Sequence, residues 1–211
     1  TLRALRRDAM AAESFPDDVL ELQAFLAPPE PGQAIRAVPG AGTEVPLWIL
    51  GSSLYGAQLA AMLGLPYAFA SHFAPDALEQ AIAIYRERFQ PSRQLTASYA
   101  AAGVNVILAD TDAEAQRLFT SVQMRFVGMV RNERGLLQPP IDDIDAYWTA
   151  AEKVHAMRML ACSFVGSPAT VEGQLRGFIG RVGVDELIVA SAIYDQPAKL
   201  RSFELLKSLT L

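Results

Sequence analysis

Short, nearly continuous apolar runs alternate with longer amphipathic stretches along this chain of 211 residues. Residues 45–50 form the first run, ending in Gly51-Ser52-Ser53, and residues 66–70 form the second. Residues 101–108 and 187–193 are the third and fourth. Runs without strict polar alternation are what strands look like when both faces are covered, as in a parallel sheet.

A helical pattern follows each run. After the first, an alanine-rich stretch begins directly behind Ser53. After the second, Leu78, Ala81, Ile82, Tyr85 and Phe89 share one helical face, and after the third so do Ala115, Leu118, Phe119, Val122, Phe126 and Met129. Thr111 and Glu114 have the spacing of a capping box at the start of that helix. Ser167 and Pro168 read as an N-cap and a first-turn proline, opening a helix through Phe178 and Ile179. A last helix is expected over about residues 198–209.

The chain is read as one domain over residues 1–211. A short helix beginning at Phe15 and a loop rich in proline and glycine occupy residues 1–44, a surface excursion. Residues 45–129 carry three strand-helix units, 130–165 a helical insertion, and 166–211 the last unit. Four such α/β units fit an open doubly wound sheet or half of an eight-stranded barrel, since a complete barrel typically needs ~250 residues. Periodicity does not choose between them.

Composition narrows the class. Apolar residues make up 51% and charged residues 19%, with 18 basic against 23 acidic. The only basic cluster is Arg3, Arg6 and Arg7, too small for a nucleic-acid partner, which needs a coherent positive face. No apolar stretch is long enough to span a membrane. The single cysteine, Cys162, excludes a disulfide framework and fits a reducing cytoplasm. Lying in an apolar run with no histidine at a suggestive spacing, it reads as a small buried hydrophobe. Thr1 and the absence of a signal-peptide core suggest that further chain precedes this sequence.

The richest local chemistry follows the first run. A strand ending in Gly51-Ser52-Ser53 and running straight into a helix puts free amides, two hydroxyls and a positive dipole end together, a site suited to one phosphate. The competing reading is that a serine caps the helix while Gly56 and Gly64 allow close packing. No dinucleotide or P-loop fingerprint is present, and no Gly-x-Ser-x-Gly elbow. Ser71-His72-Phe73 ends the second run at the edge where α/β proteins meet ligands, so His72 is the candidate catalytic group. His155 reads as a surface residue. Asp110 to Asp112, and Asp142, Asp143 and Asp145, read as acidic helix starts in preference to cation sites, and no metal is expected.

The stretch from Trp48 to Phe73 resembles the bacterial-luciferase-like flavin-dependent oxidoreductases. So do Gly103-Val104-Asn105-Val106 with the following Asp110-Thr111-Asp112, Val165-Gly166-Ser167-Pro168, residues 183–189 and residues 201–206. The resemblance implies a (β/α)8 TIM barrel of which the four units are strands five to eight. It implies FMN, supplied reduced as a co-substrate, with its phosphate on Gly51, Ser52 and Ser53 beside Tyr55 and Gly56, and its ring near Ser71, His72 and Phe73. It further implies a monooxygenase acting with O2 on a small organic substrate, a separate flavin reductase and a homo-oligomer. This segment alone would be inactive, because strands one to four supply much of the pocket. The alternatives are a non-catalytic flavin-binding or structural homologue, and an unrelated open-sheet phosphate binder.

Overall fold

In the computed structural model, residues 13–133 and 135–211 are described, and they divide into two compact units. The basic cluster at Arg3, Arg6 and Arg7 lies outside the described residues. Where a single domain is expected, the boundary falls between Trp48 and Ile49.

The first unit contains α1, Phe15–Leu26, with a proline in its first turn beside Asp17 and Asp18, where acidic charge suits the dipole. The loop behind it folds back on the helix end: Gly42 N donates to Ala27 O at 3.0 Å and Glu44 N to Leu26 O at 3.0 Å. These bonds satisfy carbonyls that a helix terminus leaves over.

The second unit is a parallel five-stranded sheet with helices between its strands. In chain order it runs β1 (Ile49–Gly51), α2 (Leu54–Leu63), β2 (Tyr67–Phe69), α3 (Leu78–Arg88), β3 (Ala100–Leu108) and α4 (Asp112–Val130). There follow α5 (Ala150–Met159), β4 (Ser163–Gly166), α6 (Pro168–Val182), β5 (Glu186–Ala190) and α7 (Gln196–Lys207). The four expected units are therefore one short. The missed strand is β4, which straddles the end of the stretch read as a helical insertion, so that insertion reduces to a loop, α5 and the start of β4. Because five units are present, the assignment to strands five to eight has no one-to-one counterpart.

All nine residues of β3 are buried, as its unbroken apolar run requires. It pairs with β2 through Ala100–Ala102, with β4 through Asn105–Leu108 and with β5 through Ala101–Asn105. The outer strands differ from expectation. Leu50 on β1 is 68% exposed and Ile188 on β5 is 49% exposed, each on a strand with one pairing neighbour among the described residues. Of the first run only Ile49–Gly51 is strand.

A main core cluster lies between β3 and α4, where Ile107, Leu118, Phe119, Val122 and Phe126 pack with Trp148 and Leu160. Trp148 anchors the loop before α5, with its indole N–H on Asp145 at 2.7 Å. Arg86 ties α3 to the approach of β5 through Asp185 at 2.8 Å, and Asp185 also accepts from Ala100 N at 2.7 Å. Turn chemistry is strictest at Gly64, whose left-handed backbone (φ 62°) ends α2. A Cβ there would fall 2.5 Å from that of Ser92 and also meet the carbonyl of Gln90.

Candidate functional site

Parallel pairing brings the ends of β1, β2 and β3 together at one edge of the sheet. Gly51 is in register with Phe69 and Phe69 with Ala102. Ala70 N donates to Gly51 O at 2.8 Å, so the segments 51–53 and 71–73 leave neighbouring strands side by side.

Gly51 and Gly56 stack closely, a Cβ on either lying 3.6 Å from the other's Cα. Below them stands the buried ring of Tyr67, whose hydroxyl donates to Ser53 O at 3.2 Å. Burial pushes that phenol well above its ordinary range, so it stays a neutral donor. Ser52, Ser53 and Tyr55 are exposed, and Gly56 is buried. Ser53 occupies the N-cap of α2 in extended backbone, yet its side chain makes no capping bond.

Of the helices that begin at this edge of the sheet, α3 likewise lacks a side-chain cap, its N-cap being Ala77, whereas α4, α6 and α7 each have a side-chain partner. Thr111 Oγ1 accepts from Glu114 N at 3.2 Å to cap α4. Glu114 turns instead to Arg117 at 2.9 Å, leaving that box half made. Asp195 caps α7, accepting from Ala198 N at 2.9 Å. At α6, Ser167 does not cap with its own side chain as expected. The carboxylate of Asp112 fills that terminus from α4, accepting from Ser167 N at 2.6 Å and Thr170 Oγ1 at 3.0 Å. These bonds, the Ser167 amide first, hold the Asp112 carboxyl below the ordinary range. Among the described residues, the N–H groups at the start of α2 thus have no side-chain acceptor, and two exposed hydroxyls lie next to them.

The second segment is held from within. Ser71 is fully buried and its hydroxyl donates to Gly103 O at 2.6 Å. Asn105, buried on β3, donates from Nδ2 to the carbonyl of His72 at 2.7 Å and to Ser163 Oγ at 3.2 Å. The His72 ring lies against Gly103 on one side and meets Phe73 edge-on at 4.8 Å between centroids. Its Nδ1 is enclosed with no hydrogen-bond partner among the described residues, and burial lowers its pKa. Gly103 and Asn105, quoted above for the family resemblance and not as site residues, support the site. The signal was a glycine and an amide inside an otherwise apolar strand.

The remaining candidates fall elsewhere. Cys162 is buried and its thiol is pushed up by that burial, which keeps it a packing residue. His155 is on the surface with Nδ1 3.1 Å from Ala151 O. Asp110 pairs with Arg201 at 2.7 Å. Asp142, Asp143 and Asp145 lie in the loop before α5, not at a helix start: Asp143 accepts from the amides of Asp145 and Ala146 at 3.0 and 3.2 Å. The start of α5 is served by a capping box of Thr149 and Glu152. Among the described residues no group of three or more His, Cys, Asp or Glu is placed to hold a metal, and no helix is long and apolar enough to cross a membrane. A cavity of about 600 Å³ between α4 and its following loop is lined by Met124, Met129, Leu136 and Tyr147 among others, and none of the sheet-edge residues reaches it.

Comparison with known proteins adds four findings. The family described as luciferase-like monooxygenase matches residues 4–186. A protein of Escherichia coli (strain K12) named luciferase-like monooxygenase is 46% identical over 206 residues, covering 97% of this chain and 62% of its own length. The crystal structure of apo-MsnO8 superposes with a TM-score of 0.75 at 31% identity, over 92% of this chain and 60% of that one. At 20% identity, and so for the fold alone, the oxygenating constituent of 3,6-diketocamphane monooxygenase from Pseudomonas putida, in complex with FMN, gives 0.51 over 87% of this chain and 55% of that one. The chain therefore spans about three-fifths of the length of the relatives it matches.

Proposed function

Because this chain belongs to the luciferase-like monooxygenase family, we propose that the protein carrying it is an FMN-dependent monooxygenase, with the flavin phosphate seated on Gly51, Ser52 and Ser53. The observation that carries this reading is the N-terminus of α2. Its first-turn amides and the exposed Ser53 hydroxyl lack the side-chain partner that α4, α6 and α7 each have. Such a terminus is a ready seat for one phosphate. Tyr67 fixes the loop from below by bonding Ser53 O, which leaves the amide side free.

The residues present fit the group. Gly51 and Gly56 keep the approach open, Tyr55 stands exposed beside it, and Ser71, His72 and Phe73 end the neighbouring strand where the ring would lie. When bound and reduced, FMN supplies the oxygen chemistry. The residues of this chain bind the phosphate, orient the ring and shield its edge with Phe73 and His72. A small organic substrate and O2 complete the reaction, a separate reductase delivers reduced flavin, and the protein works as a cytoplasmic homo-oligomer. The five units are read as part of an eight-unit barrel.

The phosphate site reads the ribityl phosphate and not the ring, so 5-deaza and ordinary flavins compete for it. Titration of the complete protein with FMN, the deazaflavin as rival ligand, tests the assignment. Ser53→Ala weakens FMN binding by about 1–2 kcal/mol, the worth of a hydrogen bond to a charged group. Affinity unchanged by Ser53→Ala removes the phosphate from this loop, and failure of reduced FMN to drive oxygen uptake removes the monooxygenase.

A further inference from the structure

We propose that His72 is held as a neutral imidazole with its proton on Nε2, a fixed hydrogen-bond donor to an acceptor atom of the flavin ring, and that Gly103 and Asn105 are the positioning residues that hold it so. The choice of acceptor rests on the FMN reading; the tautomer stands on this chain alone.

Three features of the site fix the ring. Its Nδ1 side abuts Gly103, in the middle of β3, so closely that no Cβ could occupy that position, with His72 Cε1 3.2 Å from where it would be. Gly103 is therefore a notch cut into the strand for the imidazole. Its carbonyl already accepts from Ser71 Oγ at 2.6 Å. The backbone behind the ring is clamped by Asn105 Nδ2, 2.7 Å from the His72 carbonyl. With its second N–H on Ser163 Oγ, that amide has none left for the ring.

The proton position follows from this packing. A hydrogen on Nδ1 would enter a contact already closed to a methyl group and would find no acceptor, the most costly state for a buried donor. The bare Nδ1 lone pair instead faces the Gly103 Cα–H, a weak but compatible donor. The proton thus resides on Nε2. That atom makes no hydrogen bond among the described residues and is not among the enclosed polar atoms, so it is open to a ligand. Desolvation opposes a second proton, so the group is a neutral donor and not a base held in reserve. His155 differs: it is exposed, with its Nδ1 3.1 Å from Ala151 O.

Nitrogen NMR of the 15N-histidine-labelled complete protein, with the His72 signals assigned by their loss in His72→Gln, reads the tautomer of this ring directly. In the absence of flavin we expect His72 to show a proton on Nε2 and a bare Nδ1 near neutral pH. A proton on Nδ1, or an imidazolium there, overturns the proposal. Gly103→Ala should displace the ring and give a mixture of tautomers, and unchanged His72 signals in that variant also overturn it. FMN addition should then perturb Nε2 selectively. His72→Gln, which places an amide N–H near the Nε2 position, should keep FMN affinity close to wild type, while His72→Leu lowers it about tenfold, as losing one hydrogen bond does. FMN that binds without moving Nε2 refutes the donor role. No FMN binding even in the wild type refutes the flavin reading itself, and the two failures are distinguished because the tautomer is read before flavin is added.

Discussion

Glu152 serves two structures with one carboxylate. It closes the α5 capping box by accepting from Thr149 N at 2.7 Å, and it pairs with Arg131, at the end of α4, at 2.6 Å. Arg131 foremost, then the Thr149 amide, bring its pKa from the ordinary 4.5 to about 2. A carboxyl with a depressed folded-state pKa stabilises the fold fully above its unfolded pKa. That contribution is lost as pH falls through the folded value. We therefore expect Glu152→Gln to lower the unfolding midpoint at neutral pH, with the gap from wild type closing between pH 4.5 and about 2. Denaturant melts across that window check it, and a gap that persists unchanged at the acid end would show the charge to be irrelevant. Asp112 obeys the same sign through its bonds to Ser167 N and Thr170, acting on α6. Its sequence position, first in α4, points to a cap for its own helix. What it caps is set by the pairing of β3 with β4.

Elements were legible in the sequence where the cause is local. The helix over Asp112–Val130 has its apolar stripe written within nineteen residues and its Thr111 cap directly before them, and β3 has its unbroken apolar run. The strand Ser163–Gly166 was not legible, because only Phe164 and Val165 in it are strongly apolar and its burial alternates. The exposure of β5 was hidden for another reason: apolar residues mark what can be covered, not what covers it. The site divides the same way. Gly51-Ser52-Ser53 could be found because amides and hydroxyls at a helix start are a local property. Gly103 and Asn105 could not, since their roles depend on register with residues 32 to 58 positions away in the chain. Gly64 lies between these cases, as its C-cap is local while its wall of Gln90 and Ser92 is not. Gly64→Ala adds the left-handed backbone cost of roughly 1–2 kcal/mol to that crowding. We expect a loss of stability larger than the backbone figure alone, read from the urea midpoint. A smaller loss would mean that the residues 90–92 segment yields.

At the scale of the molecule, the sheet leaves apolar side chains facing outward where a barrel would hold them inside. Leu50 on β1 and Ile188 on β5 are 68% and 49% exposed, on two of the three strands that have a single pairing neighbour among the described residues. Bare strand edges with apolar faces are templates for association. Since the chain spans about three-fifths of its relatives' length, we expect the remaining barrel units of the complete protein to cover this face. Ile188→Ala discriminates. At a surface site the change costs within about 0.5 kcal/mol, whereas at a covered one it costs about 2–5 kcal/mol. In the complete protein we expect the larger value, measured by chemical unfolding at several protein concentrations. A cost near zero would leave β5 an outer strand. A cost that grows with concentration would assign the cover to a second copy of the chain.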